Sequence, residues 1–107
     1  MKHKRSKATD ISQKTKKTVW ERDSYACVVC KRGGYGVMPN AHFVPRSKGG
    51  LGVEQNVVTL CMECHNKFDH GDREERSACR HIIREHLQNC YEDWRVEDYV
   101  YDKRTMA

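Results

Sequence analysis

The chain has 107 residues, 37% of them hydrophobic and 33% charged, with a formal net charge of +5. A chain this short makes one small domain with tails and a modest apolar core, so a staple is expected to supplement it. No apolar run approaches the roughly 20 residues that span a bilayer, and the basic start has no apolar stretch behind it to form a secretory signal. A cytoplasmic protein with no membrane contact is therefore expected.

The charge is unevenly spread. Residues 1–22 hold eight lysines and arginines against Asp10 and Glu21, and the remainder is close to neutral. Residues 1–12 lack apolar periodicity and read as a flexible basic arm, which suggests a polyanion partner, DNA or RNA. A solvated, disordered tail is the plain alternative, and both hold if the arm orders on binding. Lys14 to Asp23 is expected to form a short helix anchored by Val19 and Trp20. Tyr25 to Cys30 reads as a strand entering a tight knuckle, and Lys31 to Pro39, with Gly33, Gly34 and Gly36, as turns.

Asn40 to Val44 reads as a second short strand, stopped by Pro45, which has no N–H for a ladder. A glycine-rich loop over 46–55 separates it from the apolar run Val57 to Leu60, a buried strand. Met62 to His70 is a short helix ended by Gly71. Asp72 caps a longer one, from about Arg73 to Cys90, in which Ala78, Ile82, Ile83, Leu87 and Cys90 recur at helical spacing. The aromatics of Trp94 to Tyr101 are expected to fold back onto the core.

Two Cys-x-x-Cys turns, Cys27/Cys30 and Cys61/Cys64, punctuate this order. Each turn aims two thiols at one point, and four thiolates suit the tetrahedral preference of structural zinc. Inside a cell such pairs more often hold metal than form disulfides. A redox dithiol pair, or iron in the same cage, is left open by the spacing. Cys79 and Cys90 have no partner motif and read as buried thiols of the long helix.

The pieces recur together in a recognisable order: Val19-Trp20-Glu21-Arg22-Asp23, Cys27-x-x-Cys30, then Ala41-His42-Phe43-Val44-Pro45-Arg46. Gly49-Gly50, Asn56-Val57-Val58-Thr59-Leu60 and Cys61-x-x-Cys64-His65 follow. Over about half of the chain, this series resembles the HNH family of nucleases. The resemblance implies an α+β fold, a small ββα-metal finger core stapled by a four-cysteine zinc site, with flanking N- and C-terminal helices. Residues 13–71 would be the nuclease core with its zinc knuckles. Residues 72–107 would be a C-terminal helix and an aromatic tail packing on that core.

The resemblance also implies roles. His42 would be the general base, a task suited to an imidazole that titrates near working pH. His65 and Asp69, four apart on one helix face, would hold a catalytic divalent cation, Mg2+ or Mn2+. In the family a second histidine often stands where Asp69 is, and His70 is a reserve ligand here. Asn56 would hold the loop and the base histidine by hydrogen bonds. Arg46 and Lys48 would contact phosphates.

One departure concerns Ala41, where many family members carry a metal-binding Asp or His. Either the cation has only His65 and Asp69 with water and DNA phosphate, or His42 itself ligates and another group is the base; Asn40 is also within sequence reach. The function so implied is metal-dependent DNA endonuclease activity, hydrolysing phosphodiester bonds by nicking or weakly specific cleavage. The alternative is a non-catalytic zinc-ribbon module that binds nucleic acid. The tail Trp94 to Tyr101 resembles that of small phage-type members, which implies a bacterial host cell. Phage packaging (terminase) proteins are then one partner class, and homing or restriction are other settings.

Overall fold

Helix α1 runs from Lys4 to Thr9 and α2 from Gln13 to Arg22 in a computed structural model that describes residues 4–102. The side chain of Ser12 caps α2 by accepting from the Thr15 N–H at 3.1 Å, supplying a partner to one of the donors a helix start leaves unpaired. Val19 is fully buried and anchors α2, as its place in the sequence suggests.

Two antiparallel strands form the sheet, β1 (Val37–His42) and β2 (Val57–Cys61), with Ala41 opposite Val58 and His42 opposite Val57. Every residue of β2 is buried, which fits a run that is apolar but for Thr59. The β1 register breaks between Met38 and Ala41, around Pro39. A bulge is where a sheet tolerates a residue with no N–H, so β1 starts earlier than the turn-rich sequence of 31–39 indicates.

Helix α3 (Met62–His70) leaves β2 directly and is followed by α4 (Arg73–Cys90). Asp72 and Glu75 make a reciprocal capping box at the start of α4, with Glu75 N–H to Asp72 Oδ1 at 2.8 Å and Asp72 N–H to Glu75 Oε1 at 3.1 Å. Cys79, Ile83 and Leu87 form the buried face of α4. The tail then returns to the core: Trp94 is buried, lies edge-on to Phe43 and stacks with Tyr99, and its indole N–H donates to the Gln55 carbonyl at 2.7 Å.

Three further expectations differ from what is found. Tyr25 to Cys30 is not a strand: Ser24, Tyr25 and Lys31 have positive φ, and the segment makes an isolated bridge from Ala26 to Gly33 and a bond from the Val28 N–H to the Thr59 carbonyl of β2. The tight turn that aims Cys27 and Cys30 at one point leaves no extended run to pair. In the basic segment, residues 1–3 of the expected arm lie outside the described residues. From Lys4 the chain is helical, and Thr9 is buried where the Gly52 N–H donates to the Ala8 carbonyl at 3.0 Å. Packing of that one end against the 49–52 loop overrides the polar composition. Cys79 is buried as expected, but Cys90 is exposed. Among the described residues no helix is long and apolar enough to cross a membrane.

Candidate active site

The four cysteines converge. Cys27, Cys30, Cys61 and Cys64 offer sulfur atoms that all lie within 4.8 Å of one another, with Cys30 and Cys61 at 3.6 Å. Bonds of about 2.3 Å to a tetrahedral ion place neighbouring sulfurs about 3.8 Å apart, so the cluster has the dimensions of a metal cage. Four sulfurs sharing one centre also differ from a redox dithiol, which brings together two. Burial opposes ionisation of Cys27, but N–H donors of Cys30, Cys61 and Val29 outweigh it and hold this thiol at about 7. Burial and the neighbouring sulfurs push Cys64 the other way. The cage ties the knuckle after α2 to the junction of β2 and α3, and this fixes where α3 starts.

His42 ends β1 and is half-buried. Its Nε2 lies 2.8 Å from the Thr9 carbonyl oxygen. A carbonyl only accepts, so Nε2 carries the hydrogen and Nδ1 keeps the lone pair. Burial, with the nearby charge of Arg46 and of His65, lowers the pKa of His42 below its ordinary 6.5, against the Thr9 hydrogen bond and Asp10. The imidazole is thus neutral and able to accept a proton at neutral pH.

Asn56 is fully buried, and its amide closes the loop between the strands. Its Oδ1 accepts from the Val44 N–H at 2.9 Å; its Nδ2 donates to the Leu51 carbonyl at 2.9 Å and the Val44 carbonyl at 3.2 Å. The Asn56 backbone carbonyl also takes the Phe43 N–H at 2.8 Å, so Asn56 fixes the residue next to His42 without touching the imidazole. The loop fits so tightly that a Cβ at Gly50 would stand 1.7 Å from the Val44 oxygen, and one at Gly52 2.0 Å from the Asp10 oxygen. Close approach of backbones demands glycine at both places.

Across from His42, α3 presents His65 and Asp69 on one face, with His65 Nε2 3.1 Å from Asp69 Oδ2. Both are partly open to solvent. One imidazole nitrogen beside one carboxylate oxygen is a donor pair that suits a divalent cation. His70, the reserve ligand, is exposed at the last position of α3. Ala41 is fully buried in the core, so no ligand comes from that position. Asn40, on the same side of β1 as His42, lines a shallow pocket with His42, Arg46, Lys16 and Asp10. Arg46 is ion-paired with Asp10.

Thr9 and Asp10 escaped the sequence reading, because nothing in a polar segment 33 residues upstream announces that it returns to His42. A row of arginines on α4 escaped it as well. Arg73, Arg76 and Arg80 line a groove of about 430 Å3 that also includes Lys48, Phe68 and Asp69.

The HNH endonuclease family model matches residues 27–71, which contain all four cysteines, His42, Asn56, His65 and Asp69. Anaredoxin from Nostoc sp. (strain PCC 7120 / SAG 25.82 / UTEX 2576) is 37% identical over 65 residues, covering 56% of this chain and 78% of that protein. No solved structure matches. With its four-cysteine metal-binding cluster, two-stranded sheet and following helix, the chain belongs to the HNH endonuclease family.

Proposed function

We propose that this protein is a metal-dependent DNA endonuclease that hydrolyses phosphodiester bonds, with His42 as general base. The observation that carries the reading is the hydrogen bond from His42 Nε2 to the Thr9 carbonyl, which leaves Nδ1 as the basic nitrogen of a depressed-pKa imidazole. In the proposed reaction Nδ1 removes a proton from a water molecule as the water oxygen bonds to phosphorus. The bond from phosphorus to the 3′ oxygen breaks, and that oxygen takes a proton from solvent.

His65 and Asp69 are the proposed ligands of a catalytic Mg2+ or Mn2+, which when bound supplies neutralising charge to the phosphate and the leaving oxygen. Arg46 is the proposed phosphate contact, held at the pocket mouth by Asp10. Asn56 is a positioning residue, acting through the backbone of Phe43 and Val44. The cysteine cage is assigned structural zinc, since a closed tetrathiolate leaves no position for substrate.

The test is conversion of supercoiled plasmid to nicked or linear forms with Mg2+, Mn2+ or a chelator. Cleavage should require added divalent cation and fall at least tenfold in Asp69→Asn. Failure of zinc-loaded protein to cut with either cation would remove the nuclease assignment. The non-catalytic nucleic-acid-binding reading, favoured by the core-facing Ala41, would then stand.

A further inference from the structure

Helix α4 carries a row of arginines that the chemistry at His42 does not use. Arg73, Arg76, Arg80 and Arg84 are all exposed, and their spacing of three, four and four places them within an arc of about 80°. Along the axis the row covers about 16 Å. Over that length a DNA duplex carries about ten phosphates on its two strands.

Such a row works against the helix that bears it, because like charges three and four apart destabilise a helix. Carboxylates on the same helix do not relieve it. Glu75 is committed to the Asp72 cap and Glu85 faces His81. Glu74 and Glu85 lie more than about 100° around the axis from the centre of the row. A merely solvated face would be expected to intersperse the two signs.

Two of the guanidinium groups are also held in place. Arg80 lies over the rings of Phe43 and Phe68, at 5.1 and 5.6 Å from their centroids, and Arg84 lies 5.7 Å from that of Phe43. Phe43 directly follows His42. A guanidinium resting on a ring face keeps its N–H donors at its edge, the geometry that engages phosphate in pairs of hydrogen bonds. The groove of about 430 Å3 joins this row to the site, with Asp69 and Lys48 on its walls beside Arg73, Arg76 and Arg80.

We propose that the Arg73–Arg76–Arg80–Arg84 row, with Lys48 across the groove, is a track for the phosphate backbone of duplex DNA that sets the path of the duplex past the cleavage site. It rests on the nuclease reading for its substrate, but its binding consequence is measured apart from cleavage.

The experiment uses the full-length zinc-loaded chain carrying His42→Ala, so that no probe is cut, and a short fluorescein-labelled DNA duplex read by anisotropy over a range of salt. Arg76→Gln/Arg84→Gln is the test pair, sparing Arg80, which packs most closely on the rings. Each lost phosphate contact lowers the slope of log affinity against log salt by about 0.9, so the pair should lower it by about two. Arg76→Lys/Arg84→Lys should restore most of that slope. An unchanged slope in a folded test pair would overturn the proposal. So would an equal fall in Lys31→Gln/Arg32→Gln, a pair on the cysteine knuckle that removes the same charge. Failure of the protein with His42 intact to cut plasmid, with an intact salt response, would count against the nuclease reading and leave the track standing.

Discussion

Asn56 combines complete burial with an amide whose oxygen and nitrogen serve three backbone partners at Val44 and Leu51. Truncation to alanine leaves the buried Leu51 carbonyl and the part-buried N–H and carbonyl of Val44 without this partner, at about 1–3 kcal/mol for the buried group and less for the other two. Asn56→Ala should therefore lose about 2–4 kcal/mol in urea unfolding, a large share of a marginal stability of roughly 5–15 kcal/mol. A loss under half a kilocalorie would mean that the loop does not depend on this amide. Asn56 was legible as a site residue from its place before the Val57 to Leu60 run. Its partners were not, because a buried amide selects backbone groups that any residue type presents. Thr9 was illegible for the same reason: it meets His42 through a carbonyl.

Asp23 ties three elements together at the scale of helices and strands. Its carboxylate, with a fully buried side chain, accepts from the Thr59 N–H of β2 at 2.9 Å, from Arg22 of α2 at 2.7 Å and from His86 of α4 at 2.7 Å. Arg22 in turn donates to the Glu54 and Val57 carbonyls at 2.6 and 2.8 Å. Burial alone would raise the Asp23 pKa, but the His86, Arg22 and Thr59 bonds and the Arg22 charge outweigh it and bring it from 3.8 to about 2. A carboxyl with a depressed folded pKa contributes stability that is complete above its unfolded value and is lost as pH falls through the folded one. Stability should thus drop between about pH 4 and pH 2, with a shallower drop in Asp23→Asn; matching acid limbs would exclude this network as their source. The helices themselves were readable in advance. Val19 and Trp20, Gly71, Asp72 and the helical recurrence of Ile83 and Leu87 are local signals, and α2, α3 and α4 fall within about a residue of where these place them. The segment from Tyr25 to Cys30 misled because apolar residues flanking a metal knuckle mimic a strand, although positive φ at Tyr25 and Lys31 turns the chain instead.

For the whole molecule, the cysteine cage and the 49–52 loop do what a larger apolar core would otherwise do. The cage joins two segments, Cys30 and Cys61 being 31 residues apart in sequence. The loop gathers α1 and the aromatic tail: the Gly52 N–H donates to the Ala8 carbonyl and the Tyr101 N–H donates to the Gly49 carbonyl. Because metal binding then contributes directly to folding, Cys27→Ser should release zinc and lose cooperative unfolding, seen by a thiol-independent zinc assay and calorimetry. A zinc-free variant that melts like the wild type would refute the staple. The family was readable as a resemblance in the order of its motifs, and the cysteine cage from the Cys-x-x-Cys spacing. The return of the α1 end to His42 was not readable, since it depends on a tertiary contact with a distant polar segment. The most direct test of the account is plasmid cleavage by wild type and His42→Ala in parallel, with Mn2+ present and with zinc content, melting and duplex binding matched. The account predicts that the variant folds and binds but cuts at least a hundredfold more slowly, consistent with loss of a general base. Equal cleavage by a folded His42→Ala protein would contradict it.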